Sequence, residues 1–231
     1  MKFTTKTFGL AVAASLMTTA GAFASTIDLT DEGSYTAGAS SASGTVDRVA
    51  WEITPLPTGS TLTYNPPYDG TSAPVGTDLA LENDGVGVYS NGVRGGCDPK
   101  GDLDEVSYSC ESLTITFAQD VLVDSIEVLD LFGTETVLVY DDNGVLVGTI
   151  SALSGAGDNS VGGYSTGAIA GGYTTSLTFV AGPLNDSPST AGLPDFALAS
   201  INVAAIPVPA AGLLLLGGLG GLGMLKRRRK A

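Results

Sequence analysis

Short runs of alternating polar and apolar residues fill the middle of the chain, a pattern typical of half-buried β-strands. The runs lie at residues 49–53, 60–64, 112–117, 125–129, 136–140, 145–150, 175–180 and 196–203. Clusters of Gly, Pro, Asp and Ser separate them, and residues 25–205 show no convincing helical periodicity. We therefore expect an all-β domain of eight to ten short strands, folded as an antiparallel β-sandwich with a jelly-roll-like arrangement.

Turn and loop signals divide these runs. Asn143-Gly144 lies between two apolar runs, which predicts a tight β-hairpin at that point. Residues 31–44 and 151–174 are rich in Gly, Ser, Ala and Thr, and they predict surface loops or weak edge strands.

The amino end has the three parts of a secretory signal peptide. Lys2 and Lys6 precede an apolar stretch at residues 8–17, and Ala22-Phe23-Ala24 supplies the small residues that a signal peptidase requires. Cleavage is expected between Ala24 and Ser25, so that residues 1–24 are removed. A membrane helix is the alternative, but ten apolar residues are about half of the roughly 20 that span a bilayer.

The carboxyl end also has three parts: a proline motif, an uncharged apolar segment and a basic tail. The proline motif consists of Ile206, Pro207, Val208, Pro209 and Ala210. The apolar segment includes Ala211, Leu213, Leu216, Leu219, Leu222 and Leu225. The basic tail consists of Lys226, Arg227, Arg228, Arg229 and Lys230. Two prolines one residue apart keep the chain extended and accessible. Residues 206–225 carry no charge and are long enough to cross a bilayer, and the basic tail should remain cytoplasmic.

Together these three parts resemble the VPLPA variant of the PEP-CTERM sorting signals. Ile206 and Val208 stand where that family usually has Val and Leu, whereas Pro207, Pro209 and Ala210 match. The resemblance implies a Gram-negative host, general secretory export, transient inner-membrane anchoring, and processing by an exosortase-type enzyme. It implies a mature form at the cell surface or in the extracellular matrix, with exopolysaccharide as a partner. Residues 206–231 would be the sorting signal and 25–205 the exported domain; a permanently anchored inner-membrane protein with a periplasmic domain is the alternative.

Acidic residues are confined to the central domain, whereas most basic residues lie in the two ends of the chain. Residues 25–205 contain all 24 acidic residues of the chain and three basic residues, a formal charge of −21. Such a surface repels phosphate backbones and anionic lipid headgroups, which argues against nucleic acid as a partner and against docking of the domain itself on a membrane.

Two cysteines enclose the most acidic stretch of the chain. Cys97 and Cys110 are the only cysteines, and an exported protein with such a pair is expected to form a disulfide. The chain has no histidine, which disfavours a zinc site. Four carboxylates between the cysteines suit Ca²⁺, while a solvated acidic loop is the alternative. They are Asp98, Asp102, Asp104 and Glu105. No other cofactor is expected.

The sequence contains no convincing catalytic constellation. Residues 163–167 fit the G-x-S-x-G pattern, but without histidine the serine lacks its usual base. We therefore expect a non-enzymatic binding or structural protein, with a secreted hydrolase acting through carboxylates as the alternative. Aromatic residues that could stack on a glycan, or equally fill the core, are Trp51, Tyr64, Tyr68 and Tyr89.

Overall fold

Antiparallel strands make up most of the described part of the chain. The computed structural model describes residues 24–63, 67–89, 106, 111–153, 159–170, 172–182 and 195–204. Its strands are β1 (Ala24–Asp28), β2 (Ala42–Val46), β3 (Val49–Leu56), β4 (Thr61–Thr63), β5 (Gly87–Tyr89), β6 (Ser112–Leu129), β7 (Thr136–Asp141), β8 (Leu146–Ser151), β9 (Ser165–Ala168), β10 (Thr174–Ala181) and β11 (Ala197–Ala204). About 54% of the described residues lie in strands, and the helix among them is one 3₁₀ turn, Asn159–Val161. The prediction of an all-β antiparallel fold is confirmed.

Strand β6 is shared by two groups of strands. Its first part pairs with β3 and β10. Strand β3 also pairs with β2, β10 pairs with β7, and β7 pairs with β8; we call these strands the β10 group. Its second part pairs with β11 and β9, and with β1 these strands form the β11 group. Strands β4 and β5 form a separate two-stranded sheet. The two groups are therefore joined by one continuous strand.

A bulge in β6 changes which of its residues face the core. Val123 pairs with Val203 and Ser125 with Asn202, so Asp124 is an extra residue without a rung on β11. Before the bulge the buried positions are odd-numbered, and after it they include Ile126 and Val128. An inserted residue shifts the two-residue alternation by one, which keeps apolar side chains facing inward along both parts of the strand.

Both groups contribute to one hydrophobic core. Ile201 of β11 and Ile126 of β6 are fully buried, as are Ile115 of β6 and Phe179 of β10. All these strands belong to one compact unit, Phe23–Val208. A shared core and a shared strand predict that the two groups unfold together.

Most of the predicted strands are present, with one correction. The hairpin at Asn143-Gly144 joins β7 to β8, and Gly144 has the positive φ of 71° that the turn requires. Residues 112–117 and 125–129, predicted as two strands, belong to the single strand β6. Of the two small-residue segments, residues 31–44 end within the short strand β2, and residues 151–174 contain the short strand β9.

Candidate functional site

The first and last strands of the described chain lie side by side. Strand β1 pairs with β11 over five rungs, from Ala24 opposite Ala204 to Asp28 opposite Ser200. The Thr26 hydroxyl donates to Asn202 Oδ1 at 2.5 Å. The predicted signal-peptide cleavage bond, Ala24–Ser25, thus lies within a β-ladder, and β11 ends two residues before the predicted proline motif.

The predicted residues of the sorting signal, the disulfide and the calcium loop lie outside the described residues. These are the proline motif, the apolar segment and the basic tail, the Cys97–Cys110 pair, and the four carboxylates Asp98, Asp102, Asp104 and Glu105. The disulfide and the calcium loop therefore stay predictions. Among the residues that are described, no helix has the length and apolar character needed to cross a membrane.

An acidic triad is the densest group of metal-ligating side chains that the described residues bring together. It consists of Asp69, Asp84 and Asp130, each of which places one carboxylate oxygen within 4.8 Å of those of the other two. Asp84 and Asp130 are buried, with 0% and 4% of their surface exposed, whereas Asp69 is exposed. The backbone N–H of Asp69 donates to Asp84 Oδ1 at 3.3 Å.

A long loop, residues 67–85, supplies two members of the triad, Asp69 and Asp84. At one end, the backbone N–H and the hydroxyl of Ser72 donate to the carbonyl oxygen of Ser160, at 2.8 and 3.0 Å. At the other end, the N–H of Ala80 donates to the Asp28 carboxylate and the N–H of Leu81 donates to the Thr30 hydroxyl. Asp69 and Asp84 come from the two ends of this loop.

Asp130 is placed by the turn that follows β6. Its φ of 56° lies in the left-handed region, which Asp tolerates better than most residues, and its N–H donates to the Gly162 carbonyl oxygen at 2.9 Å. A Cβ added at Gly162 would lie 2.8 Å from Tyr68 Cε2 and 3.0 Å from Asp69 Oδ1, so this turn and the long loop lie close together.

The triad concentrates negative charge. Burial raises the pKa of the Tyr68 hydroxyl above its ordinary value, and the three triad carboxylates raise it further. Oxygen ligands at such spacing suit a hard divalent cation, and Ca²⁺ takes roughly six to eight oxygens, of which the triad could supply three. Local density of acidic residues did not predict this cluster, because its members are far apart in sequence.

Two further carboxylates are held by hydrogen bonds. Glu127 accepts from the Tyr164 hydroxyl at 2.9 Å and from the Ser200 hydroxyl at 2.5 Å, which links β6 to β11 and to the residue before β9. Burial, followed by the hydrogen bond to Glu127, raises the pKa of Tyr164. Glu135 is buried and accepts from the Phe132 N–H at 2.6 Å.

Trp51, Tyr68 and Ser165 have structural roles, whereas Tyr64 lies outside the described residues and Tyr89 is half-buried in β5. Trp51 is 8% exposed and lies against Gly44 of the neighbouring strand, where a Cβ would come within 2.6 Å of its ring. Tyr68 is half-buried and its hydroxyl donates to the Ser72 carbonyl oxygen. Ser165, the serine of the G-x-S-x-G pattern, is fully buried in β9. Neither Trp51 nor Ser165 is presented to a ligand in this conformation.

Comparison with known proteins adds no relative. No protein-family model, no curated protein and no solved structure matches this chain.

Gly162 tests the docking of the long loop. A Cβ at this position would lie 2.8 Å from Tyr68 Cε2 and 3.0 Å from Asp69 Oδ1, at a φ of 58°. Gly133 is a matched control, because its φ is 61° and a Cβ added there would have no neighbour within 4 Å. We expect Gly133→Ala to cost about 1 kcal/mol for its backbone conformation. Gly162→Ala should cost about 1 kcal/mol more in urea unfolding, because Tyr68 and Asp69 must move. Equal costs would contradict the contact.

Proposed function

We propose that this chain is an exported protein of the cell surface or extracellular matrix, delivered through a C-terminal sorting signal and without enzymatic activity. The observation that carries the proposal is the proline motif, apolar segment and basic tail at residues 206–230. The sorting resemblance assigns these parts to membrane anchoring and to an exosortase-type processing enzyme.

The fold supports the proposed division of the chain. The first described strand begins at Ala24 and the last ends at Ala204, within one residue of the domain expected between the two addressing segments. We further propose that the β10 and β11 groups pack face to face as a jelly-roll-like sandwich, because their buried faces contribute to one core.

The charge of the exported domain restricts its partners. With a formal charge of −21 on residues 25–205, neutral polymers such as exopolysaccharide, and divalent cations, are favoured over nucleic acid or anionic lipid. A display or matrix role needs nothing more than a stable domain delivered to the correct side of the membrane.

Intact mass spectrometry of the protein from the cell envelope and the medium of the source cells tests the proposal. We expect a mature mass that begins at Ser25 and ends near Pro209. The double variant Pro207→Ala/Pro209→Ala should keep its C-terminal segment, because the extended motif is lost. Pro67→Ala, an exposed loop proline, is the matched control and should be processed normally.

Two other masses would contradict the proposal. A wild-type chain that retains residues 213–231 in all fractions would be a permanently anchored inner-membrane protein. A chain that retains residues 1–24 would not have entered the secretory route by signal-peptide removal.

A further inference from the structure

The predicted signal-peptide cleavage bond lies within β1, an edge strand of the folded domain. Ala24 and Ser25 form consecutive rungs with Ala204 and Val203. At the second of these rungs, the Ser25 hydroxyl donates to Asp47 Oδ2 at 2.5 Å. Asp47 lies in the turn between β2 and β3. Two rungs later, Ile27 is 3% exposed and lies in the core.

A protease cannot hydrolyse such a bond without opening the strand. Cleavage occurs in exposed, locally unfolded segments, and for a folded protein its rate follows the population of the open form. Releasing β1 would break its ladder with β11, separate Thr26 from Asn202, and expose Ile27 to water. Each of these losses lowers the population of the open form.

Strand order along the chain creates an interval in which the bond is accessible. The partner of β1 is β11, the last strand of the domain, and Thr26 and Asn202 are 176 positions apart. At about 5 to 20 residues per second, synthesis of this separation takes roughly 9 to 35 seconds. Until β11 is available, β1 has no ladder partner on that side.

We propose that pairing of β11 with β1 closes the signal-peptidase site, so that a precursor that folds with its leader attached is protected from processing. The inference rests on the proposed signal peptide. In the reaction, water adds across the Ala24–Ser25 amide, the C–N bond breaks, and the products are a carboxylate on Ala24 and an ammonium group on Ser25. Leader removal is thereby ordered before completion of the fold.

The experiment uses the full-length precursor, folded in detergent micelles and incubated with purified bacterial signal peptidase. In one variant, eight residues beginning with Ser and continuing with Gly and Ser are inserted between Ala24 and Ser25, which moves the cleavage bond out of the ladder. The matched control places the same insert between Asn143 and Gly144, in the exposed hairpin turn. Fluorescence of Trp51, which is buried in β3, verifies that each protein is folded.

We expect the wild-type precursor and the hairpin-insert control to be cleaved at least ten-fold more slowly than the variant with the linker at residue 24. The product of that variant should have the mass of a chain cut directly after Ala24. Cleavage of the folded wild type at the same rate as the variant with the insert after Ala24 would overturn the inference, but it would still support the proposed signal peptide. Failure of all three precursors to be cleaved would overturn the proposed signal peptide and, with it, the inference.

Discussion

Ile201→Ala should lower the free energy of unfolding by about 2 to 5 kcal/mol, the usual cost of truncating a buried isoleucine. Ile201 is fully buried and lies in β11 between Ile27 of β1 and Ile126 of β6. The alanine would leave a cavity at the centre of the β11 group. Because β6 also belongs to the β10 group, we expect the loss of stability to be transmitted across the whole domain.

The single tryptophan makes this transmission measurable. Trp51 lies in β3 and pairs with Phe117, so its fluorescence reports on the β10 group, whereas far-UV circular dichroism reports on all strands. In guanidinium unfolding of Ile201→Ala, both signals should shift to the same lower midpoint. Val145→Ala, at a side chain that is 56% exposed, is the control and should change stability by no more than about 0.5 kcal/mol. A fluorescence midpoint that did not move with Ile201→Ala would mean that the two groups unfold independently.

Glu135→Gln should stabilise the protein at pH 8 by about 2 kcal/mol and have little effect below about pH 4.5. Burial is the main cause that raises the pKa of Glu135 to about 7, and the charge of Asp195 adds to it; the hydrogen bond from the Phe132 N–H acts in the opposite direction. A shift of one pKa unit corresponds to about 1.4 kcal/mol, so the full shift would correspond to about 3 kcal/mol, and the figure of about 2 kcal/mol discounts it for screening in the folded state.

The pH dependence follows from where the proton is bound. Between the ordinary carboxyl pKa and about 7, the folded state holds a proton on Glu135 that the unfolded state has lost, so its contribution to stability falls as pH rises. Above pH 7 the folded state carries a buried charge. Glutamine can still accept from the Phe132 N–H but does not titrate, so its stability advantage should grow between pH 4.5 and 8.

Thermal unfolding across this pH range gives the measurement. Glu52→Gln, at an exposed position of β3, serves as the control for removing one negative charge. A stability difference between wild type and Glu135→Gln that is the same at pH 5 and pH 8 would show that Glu135 does not titrate in that interval.

The strands that could be predicted are those in which polar and apolar residues alternate, because this alternation indicates one buried face. Residues 49–53 and 175–180 alternate clearly, and both lie in long strands with one buried face. The continuity of β6 could not be predicted, because residues 118–120 are all exposed and interrupt the apolar alternation. Beyond this stretch, the partners of β6 change from the β10 group to the β11 group. Strand β1 has a single apolar residue longer than alanine, Ile27, and owes its conformation to β11.

The acidic triad illustrates the limit of sequence reasoning for a site. Carboxylates are densest at residues 98–105, which predicts a metal loop there, and these residues lie outside the described ones. Asp69 and Asp84 each precede a glycine, a pattern that predicts turns, and nothing local relates them to Asp130. Their proximity depends on where a loop of the folded domain crosses the end of β6.

Pairing of β11 between β1 and β6 has a mechanical consequence for any form of the protein that is held at its carboxyl end. Tension applied along β11 would act roughly perpendicular to its interstrand hydrogen bonds with β1 and β6. The rungs on both sides then resist together in shear, instead of opening one after another as they would if the strand were peeled from an end. Resistance to such pulling is set by the unfolding rate, so a domain built in this way should withstand a steady pulling force for longer than its equilibrium stability alone would indicate.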